Sequence, residues 1–305
     1  MIVVKTLAPN KNVTKLKLNK PIEPQFKPPI IVRIDDNLFK KFIELSFQKK
    51  QLGNLYIYDI ASFITFSMRQ GQVMYSDKFQ KFIDVWAKEF AIERSIDEKI
   101  CCDKDGNPLP WYTYPAIEYL SQFDYGNKKI FEYGCGYSSQ FWARRAQKVI
   151  SIEDNKEYFA RWQQEFNESN LDIRWRDEGE IYEKAIFEED SLFDVIVIDG
   201  KRRVECAEAA VKKLAAGGMI ILDDSDRINT SREYVDAVAC LKKADLIQVD
   251  FYGFCPMNNY TKTTSLFLSR DFNFCSLYQV QPINGIGNLW SMSRRERKSF
   301  WKKSI

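Results

Sequence analysis

The run Ile130-Phe131-Glu132-Tyr133-Gly134-Cys135-Gly136-Tyr137-Ser138-Ser139 sets a carboxylate ahead of two closely spaced glycines. An apolar strand enters a glycine turn and a helix leaves it. Glycines allow the tight turn and let a ligand come close to the backbone. The exposed N–H groups where the helix begins receive a carboxylate or phosphate. A dinucleotide site asks for a third glycine, in G-x-G-x-x-G, so that helix and strand pack closely. Here Ser139 stands in that place, and Glu132, two residues before Gly134, suits a cationic amino group and repels a pyrophosphate. The next apolar run, Val149 to Ile152, ends in Glu153-Asp154. An acid at the end of the second strand of a Rossmann-like site accepts both ribose hydroxyls, which makes Glu153 the expected ribose ligand. Asp177, after the third strand, is placed to reach an adenine amino group.

A second set of acids ends two later strands. Val195-Ile196-Val197-Ile198 leads into Asp199-Gly200-Lys201-Arg202-Arg203, and Met219 to Leu222 leads into Asp223-Asp224-Ser225-Asp226-Arg227. Strands one and four flank the topological switch point, where such sheets bind ligands, so Asp199 lies beside the reacting group. The chain has no histidine, so a proton must go to Asp, Glu, Lys, Tyr, Cys or a metal-bound group. Two readings of Asp199, Asp223 and Asp224 stand. Three converging carboxylates suit Mg, Ca or Mn, whereas strand-end acids also cap the helix that follows. Lys201, Arg202 and Arg203 either grip an anionic group of a substrate or form a solvated loop. Trp111 and Tyr112 either stack on a ligand or pack.

The elements that position these residues follow from periodicity. Strands are expected at 129–132, 148–153, 171–175, 194–199 and 219–223, with helices between, the βαβ signature of a parallel sheet. Pro115 opens a helix through Leu120. The Ala- and Lys-rich stretch from Glu205 to Ala215 reads as a helix stopped by Gly217-Gly218. After a helix near 231–242, runs at 246–251 and 264–269 read as a long hairpin. Upstream, Phe39, Phe42, Ile43, Leu45 and Phe47 suggest one amphipathic helix, and Phe79, Phe82, Ile83, Trp86 and Phe90 another. Residues 1–107 are thus an arm and helical extension, 108–270 the catalytic domain, and 271–305 a basic tail. Arg294, Arg295, Arg297, Lys298, Lys302 and Lys303 of that tail form a solvated terminal helix or a contact to an anionic surface.

Whole-chain properties narrow the class. A net charge of +3 is too small to argue for nucleic acid. There is no apolar run long enough for a transmembrane helix and no secretory h-region. Seven cysteines, with Cys101 and Cys102 adjacent, make no disulfide framework, and a reducing, cytoplasmic setting is expected.

The stretches PWYTYPAIEYL (110–120), FEYGCGYSSQFWARRA (131–146), VIVIDGKRRVECAEAA (195–210), GGMIILDDSDR (217–227) and DFYGFCPMNNYTKTTSLFLSR (250–270) resemble class I, Rossmann-like methyltransferases found with glycan-assembly enzymes. The loop after strand four and the DDSDR segment also resemble glucuronoxylan O-methyltransferases. The resemblance implies a mostly parallel α/β sheet ending in an antiparallel hairpin and the cofactor S-adenosylmethionine. It places Glu132, Gly134, Cys135, Gly136, Ser138, Glu153, Asp177 and Asp199 around that cofactor. The acids also resemble the small metal-dependent O-methyltransferases of the catechol type, which implies Asp199, Asp223 and Asp224 as ligands of Mg or Mn. Lys201 stands one residue short of that family's lysine base, and with Asp199 it is the expected catalytic pair. The expected reaction is methylation of a hydroxyl on a small-molecule or glycan acceptor. The rivals are a nicotinamide-dependent oxidoreductase, disfavoured by Ser139 and Glu132, and a non-catalytic binding module of the same fold.

Overall fold

In a computed structural model, which describes residues 77–288 and 293–294, the strands are β1 (Lys129–Tyr133), β2 (Lys148–Glu153), β3 (Leu171–Trp175), β4 (Phe193–Ile198), β5 (Leu214–Asp223), β6 (Ile247–Phe254) and β7 (Thr261–Leu268). The helices are α1 (Asp77–Asp84), α2 (Ile92–Glu98), α3 (Tyr114–Leu120), α4 (Tyr137–Ala143), α5 (Lys156–Glu165), α6 (Glu180–Lys184), α7 (Arg203–Lys213) and α8 (Arg232–Lys243). The strands form one sheet in the order β3-β2-β1-β4-β5-β7-β6. β1 to β5 are parallel, while β7 runs antiparallel to both β5 and β6. This is a Rossmann-like, mostly parallel α/β sheet, closed by an antiparallel hairpin.

The central strands read as unbroken apolar runs because both sheet faces are covered. Alternation divides each run between two cores. Val195 and Val197 face one way, with Ile130, Trp142, Met219 and Leu266. Ile196 and Ile198 face the other, with Phe131, Ile150, Ile220 and Phe267. Side-chain caps start the helices: Asn155 accepts from the Glu157 and Tyr158 N–H groups at α5, and Ser231 from that of Glu233 at α8.

Two local expectations differ from the structure. The helix expected to reach Ala215 ends at Lys213, and the chain passes directly into β5. Gly217 and Gly218 therefore lie inside a strand, where the β4–β5 register shifts between Phe193 and Val195. Gly217 has φ +72°, a conformation that serves an irregular strand as readily as a helix end. The aromatic helix at 79–90 is split: α1 passes into a π-helical turn at Val85–Glu89. Its Trp86 and Phe90 rings stack 4.6 Å apart and both pack on Tyr114 of α3.

The helix expected around Phe39 and Phe47 lies outside the described residues, as does nearly all of the basic tail from Ser293. Residues 271–288 fold back beside α3: Asp124 N–H donates to Cys275 O, and the Phe274 ring packs on Tyr125. Among the described residues no helix is long and apolar enough to cross a membrane.

Candidate active site

The turn after β1 is held from both sides. Gly134 N–H donates to Ile152 O of β2 at 2.8 Å. At φ +93°, a Cβ on Gly134 would stand 2.7 Å from the Asp199 carbonyl oxygen at the end of β4. Only glycine fits, in conformation and in space. Gly136 is different. Its backbone is extended, and a Cβ there would meet nothing within 4 Å. It opens on a cavity of about 470 Å³ walled by Gly134, Cys135, Ser138, Glu153 and the end of β4.

Glu153 ends β2 and lines the cavity. Its carboxylate accepts from Cys135 N–H at 3.0 Å and Asn155 N–H at 2.9 Å, which ties the glycine turn to the start of α5. Burial raises its carboxyl, against those two donors. Tyr158 of α5 adds a half-exposed ring to the same wall.

Two expected cofactor ligands lie elsewhere. Glu132 is fully buried behind the turn and is not in the cavity wall. Strand alternation sends it to the α4 side of β1, where the Ser139 and Ser151 hydroxyls donate to one oxygen. Ser139 in turn accepts from Gly136 N–H at 3.1 Å, so Glu132 braces the turn from beneath. Its other oxygen has no hydrogen-bond partner, and burial pushes the carboxyl up to about 7. Asp177 is exposed and outside the wall. Past β3, the neighbouring Arg176 donates to Glu188 at 2.7 Å.

The three aspartates do converge: one carboxylate oxygen from each of Asp199, Asp223 and Asp224 lies within 4.8 Å of the others. Their charge is already met from within the chain. Lys262 of β7, 8% exposed, places its ammonium against Asp223 Oδ2 and 3.1 Å from Asp224 Oδ1. Thr264 donates to Asp223 Oδ1 at 2.7 Å, and Arg227 reaches Asp224 Oδ2 at 2.7 Å. Arg203 donates to the carbonyls of Ile198 and Asp223, clamping the ends of β4 and β5, and reaches Asp199 Oδ1 at 3.2 Å. This donor set does not fit a divalent ion, because all four oxygens of Asp223 and Asp224 already face cations or a hydroxyl. Burial works against charge on Lys262, but Asp223, Asp199 and Asp224 outweigh it and hold the ammonium well above its usual range. Burial also raises the Asp199 carboxyl, with Arg203 and Lys262 opposing.

Of the basic loop, only Lys201 offers a cation to the cavity without an acid partner among the described residues. Arg202 pairs with Glu183 and with Glu205, and Arg203 is buried as a clamp. Trp111 faces the cavity, 44% exposed, its ring 5.8 Å from the Lys262 ammonium, while Tyr112 is core. The sequence reading passed over Lys262. The signal was the hairpin: in antiparallel register Asp223 pairs with Thr264, so Lys262 lies two residues on and on the same face.

No family model and no curated protein matches the chain. Among solved structures it is similar to the N-methyltransferase NodS from Bradyrhizobium japonicum WM9 at 17% identity, covering 51% of this chain and 91% of that one, with TM-score 0.37. It is similar to a putative O-methyltransferase from Klebsiella pneumoniae at 13% identity, covering 77% and 90%, with TM-score 0.40. Spermidine synthase from Thermotoga maritima matches at 18% identity over 50% and 58%, with TM-score 0.39.

Proposed function

We propose that the chain transfers a methyl group from S-adenosylmethionine to a hydroxyl oxygen of a sugar or glycan precursor. One observation carries the cofactor half of this reading. Gly136 opens on the cavity with no atom within 4 Å of a side chain there, beside a Glu153 carboxylate tethered to Cys135 N–H. That cradle has room at its backbone and an acceptor for ribose hydroxyls at its rim. The residues that would hold the cofactor are Gly134, Cys135, Gly136, Ser138 and Glu153. When bound, it supplies an electrophilic methyl carbon.

The chain's own residues supply position and proton transfer. A sugar hydroxyl is a poor nucleophile until it loses its proton, and no histidine exists to take it. Asp199 is the base in this reading. It lies in the cavity wall, Arg203 fixes one of its oxygens, and burial raises its carboxyl against the pull of Arg203 and Lys262. Trp111 offers its ring to the C–H face of a sugar, and Lys201 meets an anionic group on the acceptor. Held alignment of acceptor and donor supplies much of the rate, at best about 7–11 kcal/mol. Seven unpaired thiols suit a reducing, cytoplasmic setting.

The test is incubation of the full chain with methyl-labelled cofactor and a panel of sugars, sugar phosphates and nucleotide sugars. Label on a sugar oxygen is expected. Label confined to nitrogen acceptors would overturn the acceptor assignment, and intact cofactor binding without transfer to any acceptor would point to a binding module.

A further inference from the structure

We propose that Lys262 is a resident cation that closes the Asp199–Asp223–Asp224 triad to divalent metal, standing where a metal-dependent site would hold its ion. Three observations support this independently of the methyl-transfer reading.

The first is geometry. The triad has the spacing of a metal site, with one oxygen from each acid within 4.8 Å of the others. Mg or Mn would need lone pairs from these acids aimed at a common centre about 2.0–2.1 Å away. The Lys262 ammonium instead lies against Asp223 and 3.1 Å from Asp224. The remaining oxygens of those two acids are taken by Thr264 and Arg227, each at 2.7 Å.

The second is charge. Three carboxylates face Lys262, Arg203 and Arg227, so the cluster is balanced. A dication would add charge beside an ammonium that is largely buried among its partners.

The third is anchorage. Lys262 belongs to β7 and pairs with Gly253 of β6, while Trp111 covers its ammonium at 5.8 Å. The hairpin fixes the backbone that carries the amine, so the stem starts from a set point beside the acids.

It follows that taking Lys262 away should convert the triad into a metal site. Lys262→Met keeps the stem's bulk and removes the charge, leaving Asp223 and Asp224 buried without their inner counter-ion. The experiment titrates Mn²⁺ into the full chain and follows the free-ion signal by electron paramagnetic resonance, with thermal melting with and without Mn²⁺ alongside. The wild type should bind no Mn²⁺ at about 1 mM, a weak-binding ceiling near −4 kcal/mol. Lys262→Met should bind at least about tenfold more tightly, or gain thermal stability only with the ion present, and Lys262→Met/Asp224→Asn should lose the gain. Wild-type binding that disappears in Asp224→Asn would overturn the proposal. So would a folded Lys262→Met that binds no better than the wild type. If Lys262→Met does not fold, the wild-type and Asp224→Asn titrations still decide the matter.

Discussion

The carbonyl oxygen of Asp199 lies 2.7 Å from the point where a side chain on Gly134 would begin. The turn after β1 and the end of β4 are therefore in backbone contact across the switch point. The same residue that closes the turn carries the carboxylate proposed as base. Cradle and base sit on two chain segments, and this backbone contact holds them together.

That contact separates the two glycines experimentally. Gly134→Ala combines a left-handed φ with a backbone clash and should cost about 1–3 kcal/mol of stability or more, read as a lowered thermal midpoint. Gly136→Val sits in extended backbone facing open space and should leave the midpoint unchanged. It should still weaken S-adenosylhomocysteine binding by at least about tenfold, since the new side chain fills the cradle. Equal destabilisation in the two variants would contradict the assignment of Gly136 to the cavity.

Glu153→Gln is the matching test of the rim. The variant swaps one acceptor oxygen for an amide that must face an N–H of Cys135 or Asn155. Loss of a charge-assisted set costs about 1.5–3 kcal/mol, so calorimetry should read a roughly ten- to hundredfold weaker affinity for S-adenosylhomocysteine. An unchanged affinity would remove Glu153 from the cofactor site.

Strands were legible in the sequence where a short, β-branched apolar run is bounded by polar or turn residues. Val195 to Ile198 is the example. Gly217-Gly218 misled because a glycine pair serves a strand irregularity as well as a helix end, and only the β4–β5 register distinguishes them. Glu153 was legible from its place at a strand end. Glu132 was expected at the cofactor, but it lies in β1, and strand alternation puts it on the buried α4 side, behind the turn. Asp177, expected near an adenine amino group, is exposed and outside the cavity wall. Lys262 is 63 residues from Asp199 in sequence, and only the hairpin register brings it to the acids. Their convergence could be read from sequence; the cation that balances them could not.

Glu132 should leave a signature in stability against pH. Its folded carboxyl lies at about 7, above its ordinary 4.5, so the folded state binds the proton more tightly than the unfolded one. Its contribution is fully present below about pH 4.5 and is lost as pH rises through about 7. Glu132→Gln cannot ionise. The stability difference between variant and wild type should therefore swing by up to about 3 kcal/mol across that window, in the variant's favour at the higher pH. Chemical denaturation at several pH values reads this directly, and parallel curves would contradict it.

Asp199→Asn keeps the size of the side chain and an oxygen for Arg203 while removing the base. Turnover should fall by about 10²–10⁴-fold. Affinity for S-adenosylhomocysteine should stay nearly the same, because the lost interaction acts mainly in the transition state. A variant that turns over like the wild type would leave alignment alone as the source of rate.

The central claim is that the cavity at Gly136 holds S-adenosylmethionine rather than a dinucleotide, and calorimetric titration of the full chain with S-adenosylhomocysteine, with NADH as comparison, tests it most directly. Saturable one-to-one binding of S-adenosylhomocysteine that is lost in a fully folded Gly136→Val, with no heat from NADH, is the predicted result; binding of NADH in its place, or no S-adenosylhomocysteine binding by the wild type, would contradict it.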